Sequence, residues 1–145
     1  MKEFKISIPK GVYAQIIKNE VIFKEIITCD NGIVDICETE ETAFQIYIEY
    51  PEIKVKKRDI NKLGIGWDIP SKKQAEIIEK YHSTIVDVSG IFIPYNFWII
   101  DENETKDFPT AYECFGRQVT NWHYNVEQPV VWVRPLILNK ENELC

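Results

Sequence analysis

One stretch near the middle of the chain, Gly64-Ile65-Gly66-Trp67-Asp68-Ile69-Pro70-Ser71-Lys72-Lys73-Gln74, restricts the possible folds more than any other. Its two glycines permit tight backbone, and Pro70 fixes φ just ahead of a helix start. Ser71 followed three residues later by Gln74 is the S-x-x-Q pattern of a capping box, in which each side chain satisfies a free N–H group. Ala75, Ile78, His82 and Ile85, flanked by Ile77 and Tyr81, then recur at helical spacing. The pattern predicts one main helix over about 71–82, with Glu76 and Lys80 as an i,i+4 pair on its outer face. Trp67 and Ile69 are expected to bury themselves and anchor the segment. On the helix stripe, His82 reads as a partly buried, hydrogen-bonded core histidine.

Strand patterns surround this helix. Phe4, Ile6 and Ile8 alternate with Lys5 and Ser7, and Pro9-Lys10-Gly11 closes that run. Residues 12–20 suit either a helical turn or a strand. Val21–Thr28 and Ile33–Cys37 are β-branched runs on either side of Asp30-Asn31-Gly32, the strongest hairpin signal in the chain. Phe44, Ile46, Ile48 and Tyr50 alternate with polar partners up to Pro51. After Gly90, the run Ile91-Phe92-Ile93-Pro94 leads to Phe97-Trp98-Ile99-Ile100, which reads as a strand buried on both faces. Ala111–Phe115 forms a short strand stopped by Gly116. Beyond it Thr120, Trp122, Tyr124 and Val126 alternate with Asn121, His123 and Asn125. Gln128-Pro129 reads as a turn, and Val130–Arg134 as a closing strand. The expected class is α+β, as a single domain over 1–145: a β-rich part (1–56), a part built on the helix (57–139) and a polar tail (140–145).

Composition narrows the function classes. A net charge of −6 argues against general binding to nucleic-acid phosphates. No apolar run approaches the ~18 residues of a membrane helix, and Met1-Lys2-Glu3-Phe4-Lys5 has no secretory h-region. The expectation is a cytoplasmic protein with no membrane partner. Lys54, Lys56, Lys57 and Arg58 form the basic cluster, which reads as a solvated strand edge guarded by lysines. Cys29, Cys37, Cys114 and Cys145 match no zinc spacing. The hairpin register sets Cys29 opposite Val34, leaving Cys37 about 10 Å away and out of bridging range. Free thiols throughout are expected.

The C-terminal part carries a resemblance. Gly66-Trp67-Asp68-Ile69-Pro70-Ser71 opening a helix, a Trp-bearing buried strand (Phe97-Trp98-Ile99), Ala111-Tyr112 on the next strand, and Val131-Trp132-Val133-Arg134-Pro135-Leu136 at the close resemble the bacterial Lcl-type C-type-lectin-like domains over residues 62–138. The resemblance implies a C-type-lectin-like mixed or antiparallel sheet carrying one main helix, preceded here by a β-hairpin-rich region. It also implies that loops and late strands present one variable recognition face. The opening Phe4–Pro9 resembles those of small bacterial and phage-encoded proteins, so a virion component is one expectation.

No catalytic set stands out, and neither an enzyme nor a cofactor is expected. Glu127-Gln128-Pro129 resembles the calcium tripeptides of sugar-binding lectins, yet Val130 and Val131-Trp132-Val133 bring none of the further side-chain oxygens calcium needs. No metal is expected. Cys114 and His123 could in principle form a thiolate–imidazole pair, but nothing in the sequence orients the histidine. The best recognition candidates are Arg117, Asn121, Trp122, His123, Tyr124 and Asn125, because exposed aromatics with Asn and Arg are hot-spot chemistry. The expected function is a non-enzymatic binding module that recognises a protein or glycan through the 101–129 region. The alternative is a small acidic inhibitor or immunity-type protein, whose loops Glu38, Glu40, Glu41 and Asp101, Glu102, Glu104, Asp107 would converge on a basic target.

Overall fold

The computed structural model describes residues 12–17, 20–39, 42–49, 52–61, 63, 64 and 66–136. The Phe4–Ile8 strand, Tyr50, Cys145 and the 140–145 tail expected from sequence lie outside these residues. Among the described residues the architecture is α+β, with two α-helices and mostly antiparallel strands. The ambiguous segment is a strand, β1 (Val12–Ile17), paired antiparallel with β2 (Glu20–Glu25). A bend at Ile26 divides the long β-branched run, so β3 (Ile27–Asp30) joins a different sheet.

The hairpin signal is borne out. β3 and β4 (Ile33–Ile36) are joined through Asn31 and Gly32, at φ 51° and 78°. Two left-handed residues in succession are what a type I′ turn requires, and asparagine and glycine tolerate them best. Cys29 pairs with Val34 in the expected register. One thiol expectation fails, however: Cys37 is disulfide-bonded, whereas Cys29 and Cys114 are free. Spacing along one hairpin excludes only a partner on that hairpin and leaves more distant partners open.

β4 pairs with β5 (Phe44–Tyr47), and β5 pairs with the closing strand β11 (Trp132–Pro135), giving the order β11-β5-β4-β3. A second sheet has the order β7 (Asn96–Trp98), β8 (Thr110–Glu113), β9 (Gln118–Asn121). Gln128-Pro129 is a correction. Both residues are buried and form β10, a two-residue strand against β6 (Lys54–Val55), where a turn was expected.

The capping box forms as read. The Gln74 N–H donates to Ser71 Oγ at 3.2 Å, and the Ser71 N–H donates to Gln74 Oε1 at 2.9 Å. The main helix ends where expected, and a second helix that was not expected follows it directly. α1 (Lys72–Lys80) breaks at Tyr81, and α2 (His82–Ser89) continues to a left-handed Gly90 at φ 71°. The apolar stripe runs through the break, since Ala75, Ile77, Ile78, His82 and Ile85 are all buried. The expected Glu76–Lys80 pair is replaced by Lys72–Glu76 at 3.8 Å and by Lys80–Glu38 at 3.2 Å.

The helices share one core with the two larger sheets. One core cluster takes Val34, Ile36, Phe44 and Ile46 from the first sheet, Ala75, Ile78 and Ile85 from the helices, and Phe97 and Tyr112 from the second. Successive residues of a strand face opposite ways. Trp98 therefore points away from Phe97 into a second cluster with Ile69 and Ala111, where its indole N–H donates to the Val55 carbonyl at 2.7 Å. This two-sided burial is the one the continuous apolar run predicted for Phe97, Trp98 and Ile99, whereas Ile100 lies beyond the strand and is exposed. Trp67 differs from expectation: it is only half-buried, with the Arg134 guanidinium 4.3 Å from its ring centroid and Tyr47 at 6.0 Å. Its neighbour Ile69 is buried as expected. Among the described residues, no helix is long and apolar enough to cross a membrane.

Candidate functional site

The β8–β9 hairpin has two ends, and they divide the candidate residues. β9 is four residues long, about 13 Å at strand rise. Asn121, Trp122, His123, Tyr124 and Asn125 sit at its far end beside the 101–109 loop. Arg117 sits at the near end, in the tight turn 114–117, and is not brought together with the others. The same separation parts Cys114 from His123, so these two make no thiolate–imidazole pair. Burial also pushes the Cys114 thiol up to about 12, with the Glu79 carboxylate adding to the effect.

At the far end the polar groups hold the loop. The Asn121 amide donates to the Phe108 carbonyl at 3.1 Å and to Thr110 Oγ1 at 2.9 Å. Trp122 donates its indole N–H to Thr120 Oγ1 at 2.7 Å and leans on the Trp98 cluster. The His123 Nδ1 accepts the Asn125 N–H at 3.2 Å, and the His123 ring lies 4.2 Å from that of Tyr124. Arg58 stands over Tyr124 at 5.2 Å. Trp132, which would have to join Trp122 and Tyr124 in a continuous exposed patch, is buried and donates to Glu49. Nearby, Lys57 leaves the basic cluster and turns inward to Glu104 and to the Ile99 carbonyl. The Asp101 carboxyl is held below the usual range, first by the Asn103 N–H and then by the Thr110 hydroxyl. The chemistry at this end is largely spent on itself.

The near end is different. Phe115, Tyr95 and Phe92 are 68%, 51% and 60% exposed and touch one another, with Tyr95 6.1 Å from Phe115 and 6.3 Å from Phe92. Burying a whole aromatic side chain removes 150–250 Å² from water, so these exposures sum to about 300–400 Å² of apolar surface. Patches of that size on a monomer are frequently functional. Phe115 also sits at φ 60°, a left-handed conformation that bulky residues seldom adopt. Strain of this kind persists only where the surroundings fix it, and it gathers at functional positions.

The surroundings do fix it. Glu79 on α1 accepts from the Phe115 backbone N–H at 2.5 Å, from the Tyr112 hydroxyl at 3.0 Å and from the Gln118 amide at 3.4 Å. Beneath Tyr95 lies buried His82, stacked at 4.6 Å with an 11° interplanar angle, its Nε2–H donating to the Ile93 carbonyl at 2.9 Å. His82 is thus the core histidine expected, and it also props up the patch. Reading the sequence missed Phe92, Tyr95 and Phe115 as a surface. Each sits in or beside an apolar run that patterning assigns to the core, and no periodicity marks them as outward.

The two acidic loops do not converge in their described parts. Glu38 reaches Lys80 at the C-terminal end of α1, whereas the Ile100 N–H donates to the Pro70 carbonyl ahead of its N-terminus. The nine residues between span about 13 Å. Glu40 and Glu41 lie outside the described residues. Among the described residues no cluster of three or more His, Cys, Asp or Glu is placed to hold a metal ion. Comparison with protein-family models, with characterised proteins and with solved structures found no match.

Proposed function

We propose that this protein is a non-enzymatic binding module of C-type-lectin-like architecture that recognises a protein partner through the turn at Phe115 and the neighbouring rings of Phe92 and Tyr95, a different face from the bulk of the 101–129 region expected from sequence. The architectural part is supported by the order of elements: a capped helix, the Trp98 strand, its neighbour β8, and a closing strand that returns beside β5. The functional part rests on one observation, the contiguous exposed rings of Phe92, Tyr95 and Phe115 held from below by Glu79 and His82. A protein fits this patch better than a glycan. The rings are tilted 64° and 76° to one another and form no flat stacking platform, and an apolar, aromatic centre is hot-spot chemistry. Arg117, exposed on the same turn, supplies a polar rim.

The test compares immobilised wild type with Phe115→Asn, chosen because asparagine accepts a left-handed backbone. Proteins retained from extracts are quantified, and a glycan array is run in parallel. The expected result is a protein species retained by wild type and lost from the variant, with a blank array. Equal retention on both proteins, or glycan binding indifferent to Phe115, contradicts the proposal.

A further inference from the structure

The aromatic patch does not end at Phe92. The same side chain lines a groove of about 620 Å³ formed with Gly32, Tyr47, Ile48, Glu49, Glu52, Gly90 and Ile91. Its walls are mostly apolar, and among the described residues its charged lining is Glu49 and Glu52, with no cation. Glu52 is exposed, while Glu49 is half-buried and engaged by the Trp132 indole. Patch and groove therefore form one continuous surface, apolar at the Phe115 end and acidic at the other, on a chain of net charge −6. Resting on the protein-recognition reading above, we infer that its occupant is a single peptide segment of a partner, with large apolar side chains on Phe115, Tyr95 and Phe92 and a Lys or Arg beyond them at Glu52.

Three features select this occupant. The rings step by 6.1 and 6.3 Å. That step matches same-face side chains of a peptide, about 6–7 Å apart at i,i+2 in a strand or i,i+4 in a helix. A stable dimer with a second copy needs about 800 Å² from each partner, roughly twice what the patch offers. The groove that extends the patch lies on one side only and carries one sign of charge, so it repels its own copy and attracts a basic segment.

The experiment pans a 12-residue random peptide library displayed on phage against the immobilised full chain. Enriched peptides are then measured by fluorescence anisotropy against wild type, Phe115→Asn, Phe92→Ser and Glu52→Lys, with Tyr124→Ala as a control at the other end of β9. The expected hits carry two large apolar residues at i,i+2 or i,i+4 and a nearby Lys or Arg. Phe115→Asn and Phe92→Ser weaken them about tenfold or more, as hot-spot removal does. Glu52→Lys weakens them several-fold and removes the salt dependence, and Tyr124→Ala changes nothing. Hits without a basic residue that ignore Glu52→Lys but need Phe115 overturn the basic-segment inference and leave the recognition surface standing. Hits indifferent to Phe115 and Phe92, or no enrichment at all, overturn both. A wild-type dimer in sedimentation that Phe115→Asn dissolves makes a second copy the occupant and likewise overturns the inference.

Discussion

The Glu79 carboxylate on α1 accepts the backbone N–H of Phe115 at 2.5 Å, so the helix itself sets the turn that turns an aromatic ring outward. The same carboxylate receives the hydroxyl of fully buried Tyr112, whose pKa is raised by burial and by this neighbour. Glu79→Ala orphans the Tyr112 hydroxyl and leaves the exposed Phe115 N–H to water. It should cost about 1–3 kcal/mol, the penalty for unpaired polar groups away from water. Urea melts measure that loss, and faster amide exchange at residues 115–118 should accompany it. A variant as stable as wild type, with unchanged exchange, would remove the helix from the explanation.

Phe115 offers a stability–function contrast. Its φ of 60° is strained for phenylalanine and free for glycine, and its ring is mostly outside the core. Phe115→Gly gains about 1–2 kcal/mol from strain relief and loses about 0.5–1 kcal/mol in chain entropy. Stability should be unchanged or slightly higher, while partner binding disappears. A marked fall in melting temperature would show that the ring contributes to the core.

Truncating Trp98, Trp67 and Ser71 should cost different amounts of stability, most for Trp98. Trp98 is fully buried and its indole ties β7 to the Val55 carbonyl, so Trp98→Ala should cost about 3–5 kcal/mol. Trp67 is half-buried beneath Arg134, where a cation–π contact at an exposed site contributes about 0.5–1 kcal/mol, so Trp67→Ala should cost clearly less than Trp98→Ala. Ser71→Ala removes one cap, worth about 1 kcal/mol. Thermal melts of the three variants decide the order. Trp67→Ala as damaging as Trp98→Ala would contradict the placement of Trp67 at the margin.

What could be read from the sequence was local and steric. Asp30-Asn31-Gly32 dictated a turn because few residues tolerate two left-handed positions in a row, and Ser71 with Gln74 dictated a helix start because free N–H groups need partners. The period of the Ala75–Ile85 stripe survived a break at Tyr81, since burial follows the face rather than the hydrogen-bond ladder. Long-range relationships were not legible. Lys57 looked like one of a solvated set until the fold brought Glu104 and the Ile99 carbonyl to it. Gln128-Pro129 carried turn chemistry and became a strand because β6 lay beside it. The Asn121–Asn125 group had hot-spot composition, yet the Asn121 amide, the Trp122 indole and His123 Nδ1 are used to hold the local backbone and strand. Phe92, Tyr95 and Phe115 resembled core residues because sequence shows what is apolar and not which side of the sheet it meets.

The Cys114 thiol makes the burial argument testable by pH. Its folded pKa is raised from 9.0 to about 12, so the neutral form is favoured in the folded state. The stabilisation linked to it is fully present below about pH 9 and is lost as pH rises from there through about 12. Cys114→Ala should therefore decline in stability less steeply than wild type above pH 9. In native protein at pH 8, iodoacetamide should label Cys29, which is partly exposed, and spare Cys114 until unfolding. Rapid native labelling of Cys114 would contradict its burial.

We propose that recognition occurs at the Phe115 end of β9 rather than at the Tyr124 end. Hydrogen exchange of the full chain, with and without a bound partner or panned peptide, tests it most directly. Slowed exchange is expected at the amides of residues 91–96 and 114–118, with 101–109 and 121–127 unchanged. Protection confined to 101–109 and 121–127, with the Phe115 turn exchanging as before, would contradict it.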